Sequence, residues 1–156
     1  MDYNTLAWLA RASYCKDDKS LTIGNFEKKA IDNLSYINKY HDNVLDGWEV
    51  VYTDKALLGF QGVAYGKDTN GDEIYDEIVI AYAGTNSLGD TVSDIQLATD
   101  NIPQQATPAL AFYEKALEKA ANAGCNNPTI RIVGHSLGGA LAQYVASYKN
   151  KTGVSM

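Results

Sequence analysis

The strongest chemical signal in the sequence is the run Gly134-His135-Ser136-Leu137-Gly138-Gly139. It follows the apolar stretch Thr129-Ile130-Arg131-Ile132-Val133 and precedes Ala140-Leu141-Ala142-Gln143-Tyr144-Val145-Ala146, a strongly helical pattern. A serine at a sharp strand-to-helix turn can act as a nucleophile. Gly134 and Gly138 lack Cβ atoms, so the chain can turn tightly and hold Ser136 in a strained backbone with its hydroxyl presented at the sheet edge. A helix starting at about Leu137 aims its first amides and the positive end of its dipole at the same place, so the Leu137 amide is the natural first donor to an oxyanion. The chemistry indicated is acyl transfer to Ser136. A glycine-rich turn that serves packing alone is the alternative.

On these residues the sequence resembles the class-3 lipases of the α/β-hydrolase superfamily, whose elbow is typically written G-H-S-L-G-G-A-L-A, as Gly134 through Ala142 reads here. A second stretch, Ala81-Tyr82-Ala83-Gly84-Thr85-Asn86-Ser87-Leu88-Gly89-Asp90-Thr91-Val92-Ser93-Asp94-Ile95, is similar to the family's strand end and oxyanion loop. Ala83 stands where arginine is usual, Thr91 where tryptophan is common and Ile95 for leucine. The resemblance implies that Thr85 supplies the second oxyanion donor. It also implies that a lid begins in the following residues, around Gly89, Val92 and Ile95, with Val92, Ile95 and Leu97 as a lipid-facing side. Taken by themselves, residues 83–86 read as a strand ending in a turn, and residues 86–106 equally as a short surface helix plus loop.

Serine acyl transfer needs a histidine base and an acidic residue to orient it, and in this fold they follow the serine in the chain. Residues 137–156 contain neither Asp nor His. The expectation is therefore the N-terminal portion, residues 1–156, of a single lipase-like domain that stops after the helix following the elbow. Such a chain alone would be catalytically silent, and a C-terminal companion fragment would complete the sheet beside strand 129–133. His135 adjoins the serine and is expected as a packed, hydrogen-bonded support; His41, in Tyr40-His41-Asp42-Asn43, is expected at the surface.

The elements that must position these groups are legible in outline. Leu6, Leu9, Ala10 and Ala12 recur at helical spacing and predict a first helix ending near Cys15; Ile31, Leu34 and Ile37 predict the buried face of a second. From Trp48 the pattern turns to strands, and residues 57–83 read as an antiparallel hairpin about a type I′ turn at Asn70-Gly71. Thr107-Pro108 predicts a helix start and Gly124 its end, with Leu110, Tyr113 and Leu117 facing inward. Alternation of strands and helices gives an α/β fold, three-layered and with a mixed sheet where it is α/β-hydrolase-like.

Composition sets limits on function. The chain has 156 residues, 46% hydrophobic and 21% charged, with a net charge of −6, which argues against nucleic acid as a partner and against an anionic membrane held by charge alone. No apolar run approaches the roughly 20 residues of a membrane span, and the first residues lack signal-peptide character, so the sequence as written is cytoplasmic or exported by a signal-independent route. Cys15 and Cys125 read as ordinary buried thiols. Asp68, Asn70, Asp72 and Asp76 have the D-x-N-x-D spacing of a calcium loop, although Glu73 stands at the usual glycine and an acidic Asn-Gly hairpin accounts for the same residues. The serine chemistry itself requires no cofactor.

The leading reading is thus a serine carboxylic ester hydrolase, with lipid esters as substrates by resemblance. Two rivals stand beside it: a non-catalytic lipid- or protein-binding half-fold with an inert Ser136, and another serine acyl-transfer enzyme such as a thioesterase or acyltransferase.

Overall fold

The structure, a computed structural model, describes residues 2–15, 21–55, 61–83 and 102–155. Helix α1 (Tyr3–Ala12) starts at Asp2, whose carboxylate accepts the Thr5 amide at 2.8 Å, and buries Leu6, Leu9, Ala10 and Ala12 as the spacing predicts. Helix α2 (Ile23–Tyr40) is held by a capping box, with Thr22 and Asn25 bonding each other's backbone amides. Its inward face is Phe26, Ala30, Leu34 and Ile37, whereas Ile31 is 44% exposed. At about 100° per residue Phe26, Ala30, Leu34 and Ile37 fall within about 80° of one another around the helix, and Ile31 lies about 60° beyond Leu34, outside that stripe.

Strands β1 (Trp48–Lys55), β2 (Gln61–Lys67) and β3 (Glu77–Ala83) form an antiparallel meander. The Asn70-Gly71 turn differs from the type I′ expectation. Residues 68–76 make a longer loop in which Gly71 and Glu73, not Asn70, take positive φ. Side-chain oxygens of Asp68, Asn70, Asp72 and Asp76 accept the loop's amides and stabilise this wider path.

Helix α3 (Ile102–Asn122) begins five residues before Thr107, so Pro108 lies inside the helix instead of opening it. Gly124 ends it at φ +91°, as expected. Tyr113 is buried, but the face is otherwise made by Ala106, Ala109, Phe112, Ala116 and Ala120, with Leu110 and Leu117 half-buried at its margins. Strand β4 (Thr129–His135) pairs parallel with β3, helix α4 (Leu137–Lys149) follows after one residue, and β5 (Thr152–Ser155) pairs parallel with β4. The edge expected to be open beside β4 is therefore occupied by β5.

The result is a five-stranded mixed sheet, in order β1-β2-β3-β4-β5, between two helical layers. Both parallel connections, through α3 and α4, cross the same face, as two consecutive crossovers of one hand must. That face buries Ile78, Ile80, Tyr82 and Ile132 against Phe112, Leu141 and Val145. The alternate residues Val79, Ala81 and Val133 face α1 and α2. Cys15 and Cys125 are free, buried thiols, and burial pushes Cys15 up to about 11. At the β2 start, fully buried Gln61 closes a two-way bond with the Cys15 backbone, donating to its carbonyl at 3.0 Å and accepting its amide at 3.3 Å. This clamp ties the loop after α1 to the end of the sheet where β3 leaves at Ala83.

Candidate active site

The carboxyl ends of β3 and β4 lie side by side, with Tyr82 opposite Gly134 and Ala83 opposite His135. Beyond them Ser136 is the single residue between β4 and α4, with φ 57° and ψ −124°, exposed at its surface. This is a conformation that non-glycine residues enter at a cost of about 1–3 kcal/mol and keep only when the surroundings impose it. Two glycines impose it. A Cβ on Gly134 would collide with the Gly138 carbonyl, and one on Gly138 would collide with the Tyr82 carbonyl. The first turn of α4 is thereby pressed against the ends of β3 and β4 at a distance that only bare backbone permits.

Helix α4 has no side-chain cap: the Ser136 carbonyl accepts the Ala140 amide at 3.2 Å, but its side chain makes no capping bond. The amides of the first turn, Leu137 at their head, have no acceptor one turn earlier inside the helix and face the space beside Ser136. An exposed serine in a strained backbone beside helix-terminal amides is an arrangement able to attack a carbonyl and to hold the charge that results.

His135 does not occupy the packed position expected of it. It points to the same side of the sheet as Val133, but on β4 the core cluster under α1 and α2 ends at Val133, and His135 is exposed one step beyond it. His41 is exposed, as expected, with its ring 4.3 Å from that of Trp8. It precedes Trp48, which pairs through Lys67 and Glu77 toward Thr129, the end of the sheet opposite Ser136. A seven-residue strand, roughly 20 Å, separates the two ends, so His41 is not placed to serve Ser136. Thr85, Gly89, Val92, Ile95 and Leu97 lie outside the described residues.

The acidic hairpin loop is also at that far end. Asp68 accepts the amides of Asn70, Gly71 and Glu73 at 3.1, 2.7 and 2.8 Å, and Asp76 accepts the amide and hydroxyl of Thr69. Among the described residues no group of three or more His, Cys, Asp or Glu side chains is arranged to hold a metal. Partial burial pushes the Asp68 carboxyl up, but the amides of Glu73, Gly71 and Asn70 outweigh it and hold the group below its ordinary 3.8. The stabilisation is then present above that ordinary value and is lost as pH falls through the lowered one. The protection factors of the Gly71 and Glu73 amides should fall in that acid range, and should be lowered at neutral pH in Asp68→Ala. Unchanged exchange in the variant would show that the turn, not the carboxylate, protects these amides.

The profile of the Tle-like phospholipase domain, a phospholipase-like family, matches residues 5–156. The chain belongs to that family. Among curated protein sequences none matches. Among solved structures, this Tle-like domain is similar to M37 lipase, with a TM-score of 0.66 at 18% identity over 95% of the chain. The match establishes an α/β-hydrolase-like fold shared with a lipase, and the Tle-like domain spans 53% of that lipase. No helix among the described residues is long and apolar enough to cross a membrane.

One residue of interest had no motif to announce it. Gln105, on the inward face of α3, is 2% exposed, and its side-chain carbonyl has no hydrogen-bond partner among the described residues. In the sequence it falls within the polar stretch expected to be lid or loop, and only the earlier start of α3 turns it inward.

Proposed function

We propose that this domain carries the nucleophile of a serine carboxylic ester hydrolase acting on lipid esters, of triacylglycerol lipase or phospholipase A type, and akin to the class-3 lipases. The Ser136 hydroxyl oxygen attacks the acyl carbonyl carbon while its proton passes to a histidine. The carbonyl oxygen becomes an oxyanion held by the Leu137 amide and by Thr85. Collapse breaks the ester bond, and the alcohol leaves with the proton. Water, deprotonated by the same histidine, then cleaves the acyl-enzyme to give a fatty acid and restores the serine. Neither Asp nor His occurs in residues 137–156, and in the reading proposed here both groups are supplied from outside this domain. The chemistry needs no cofactor. Residues around Gly89, Val92 and Ile95 would act as the lid.

The observation that supports this reading above all is the backbone of Ser136, a positive-φ serine where only Gly134 and Gly138 allow the helix to close on the strand. Membership of a phospholipase-like family supports the choice of lipid esters. The test is covalent labelling with a fluorophosphonate, read by mass on the tryptic peptide Ile132–Lys149. An adduct on Ser136 is expected once the Asp and His are supplied, and little or none on the chain by itself. Absence of labelling in both forms overturns the proposal in favour of a lipid- or protein-binding module.

A further inference from the structure

A buried carbonyl oxygen with no donor has lost its water without compensation, and native proteins seldom leave one without a purpose. Among the described residues Gln105 is such a group, and its place in the fold can be read from its neighbours. It lies one helical turn before Ala109, whose carbonyl accepts the Tyr82 hydroxyl at 2.6 Å, and two turns before Phe112. The Phe112 ring packs on Tyr82 at 5.9 Å and covers Gly62, so it marks the level of the sheet at which Gly62, Tyr82 and Gly134 pair.

From that level α3 extends back toward the carboxyl ends of the strands, because it returns from the end of β3 to the start of β4. Seven helical residues cover roughly 10 Å, and the two strand residues from Gly134 to Ser136 cover roughly 7 Å in the same direction. Gln105 therefore stands at about the height of Ser136, on the face of the sheet where α3 packs beside α4. Its neighbours on the α3 face, Ala106 and Ala109, offer no side-chain donor.

We propose that Gln105 is a specificity residue of the Ser136 site: its side-chain carbonyl accepts a hydrogen bond from a free hydroxyl on the alcohol portion of a lipid ester. Hydroxyl-bearing glycerol esters are then preferred over esters of simple alkanols. An acceptor already buried without a donor discriminates in this sense because only a ligand that brings a donor pairs it. The inference rests on the reading of Ser136 as the nucleophile of a lipid ester hydrolase, but it concerns recognition and can be tested without turnover.

The probes are 1-O-hexylglycerol, an uncleavable ether with two free hydroxyls, and its di-O-methyl derivative, which keeps every oxygen and loses both donors. Calorimetry with the chain should show the diol bound more tightly. Gln105→Leu should weaken diol binding about tenfold, the value of one hydrogen bond, and leave the dimethyl ether unchanged. Gln105→Glu keeps an acceptor oxygen and should keep the preference, which decides the matter if the leucine variant fails to fold. Equal binding of both probes by the wild type, binding of neither, a preference that survives in Gln105→Leu, or its loss in Gln105→Glu each overturns the proposal. Failure of the nucleophile reading registers separately, as absence of a fluorophosphonate adduct on Ser136.

Discussion

Ser136→Gly should give a protein that is both inert and more stable than the wild type. A serine held at φ 57° and ψ −124° pays for its backbone, and glycine enters the same region without a Cβ penalty. The gain expected is about 1 kcal/mol, or roughly 2–4 °C in melting temperature for a chain of this size. The side chain makes no capping bond, so its loss removes no stabilising contact from α4. Ser136→Ala separates the two effects: it keeps the strain, should melt near the wild type, and removes the hydroxyl. In the form supplied with Asp and His, both variants should lose ester turnover by about 10⁴-fold or more, leaving only what binding and the oxyanion amides provide. Turnover persisting within tenfold in either variant would show that another group attacks. A Ser136→Gly protein less stable than wild type would show that the strain is not in this residue.

Gly138→Ala should be, with Gly134→Ala, among the most damaging single-methyl substitutions near the site. The added Cβ meets the Tyr82 carbonyl, which is backbone and cannot swing aside, and it nears the Ala83 Cα as well. Relief requires the first turn of α4 to move away from β3, and α4 carries Leu141, Ala142 and Val145 into the core. Overpacking of this kind costs about 1–3 kcal/mol, and more when only backbone can yield. Two losses should follow together: a lower midpoint in urea, and slower fluorophosphonate labelling of the form supplied with Asp and His, since the same shift carries Ser136 and the Leu137 amide with it. Ala140→Gly, in the next turn, should lower stability by about 1 kcal/mol through helix propensity alone and leave labelling unchanged. Normal stability and labelling in Gly138→Ala would mean that the close approach of α4 to β3 is not what shapes the turn.

Much of this architecture is written locally. The elbow can be read because its requirements are steric and contiguous: two glycines four residues apart, a buried strand before and a helix after. The face of α1 and the strands β1 to β4 are legible for the same reason, since period and burial agree over short windows. What escapes depends on distant partners. Ile31 satisfies helical spacing with Leu34, but Phe26 and Ala30 set which stripe meets the sheet. Pro108 reads as a first-turn proline, yet the helix runs through it, because Ala106 and Ala109 continue the inward face on either side and tertiary packing outweighs the lost amide. Asn70-Gly71 reads as a two-residue turn until the carboxylates around it draw the amides into a wider loop. His135 reads as packed because the strand before it is buried, and sequence alone does not show where the cover of α1 and α2 stops. Gln105 has no sequence signature; its isolation is a property of the packed core.

The strands stand in the sheet in the order in which they occur in the chain, β1 to β5. During synthesis each new strand can thus add to the edge left by the one before it, without opening a pair already made. The meander of β1 to β3 closes over short loops and can form early, whereas β4 must wait for the whole of α3. The turn at Ser136 is set only when α4 docks after β4, so its strain is imposed on a sheet that already exists and is carried by contacts made before it.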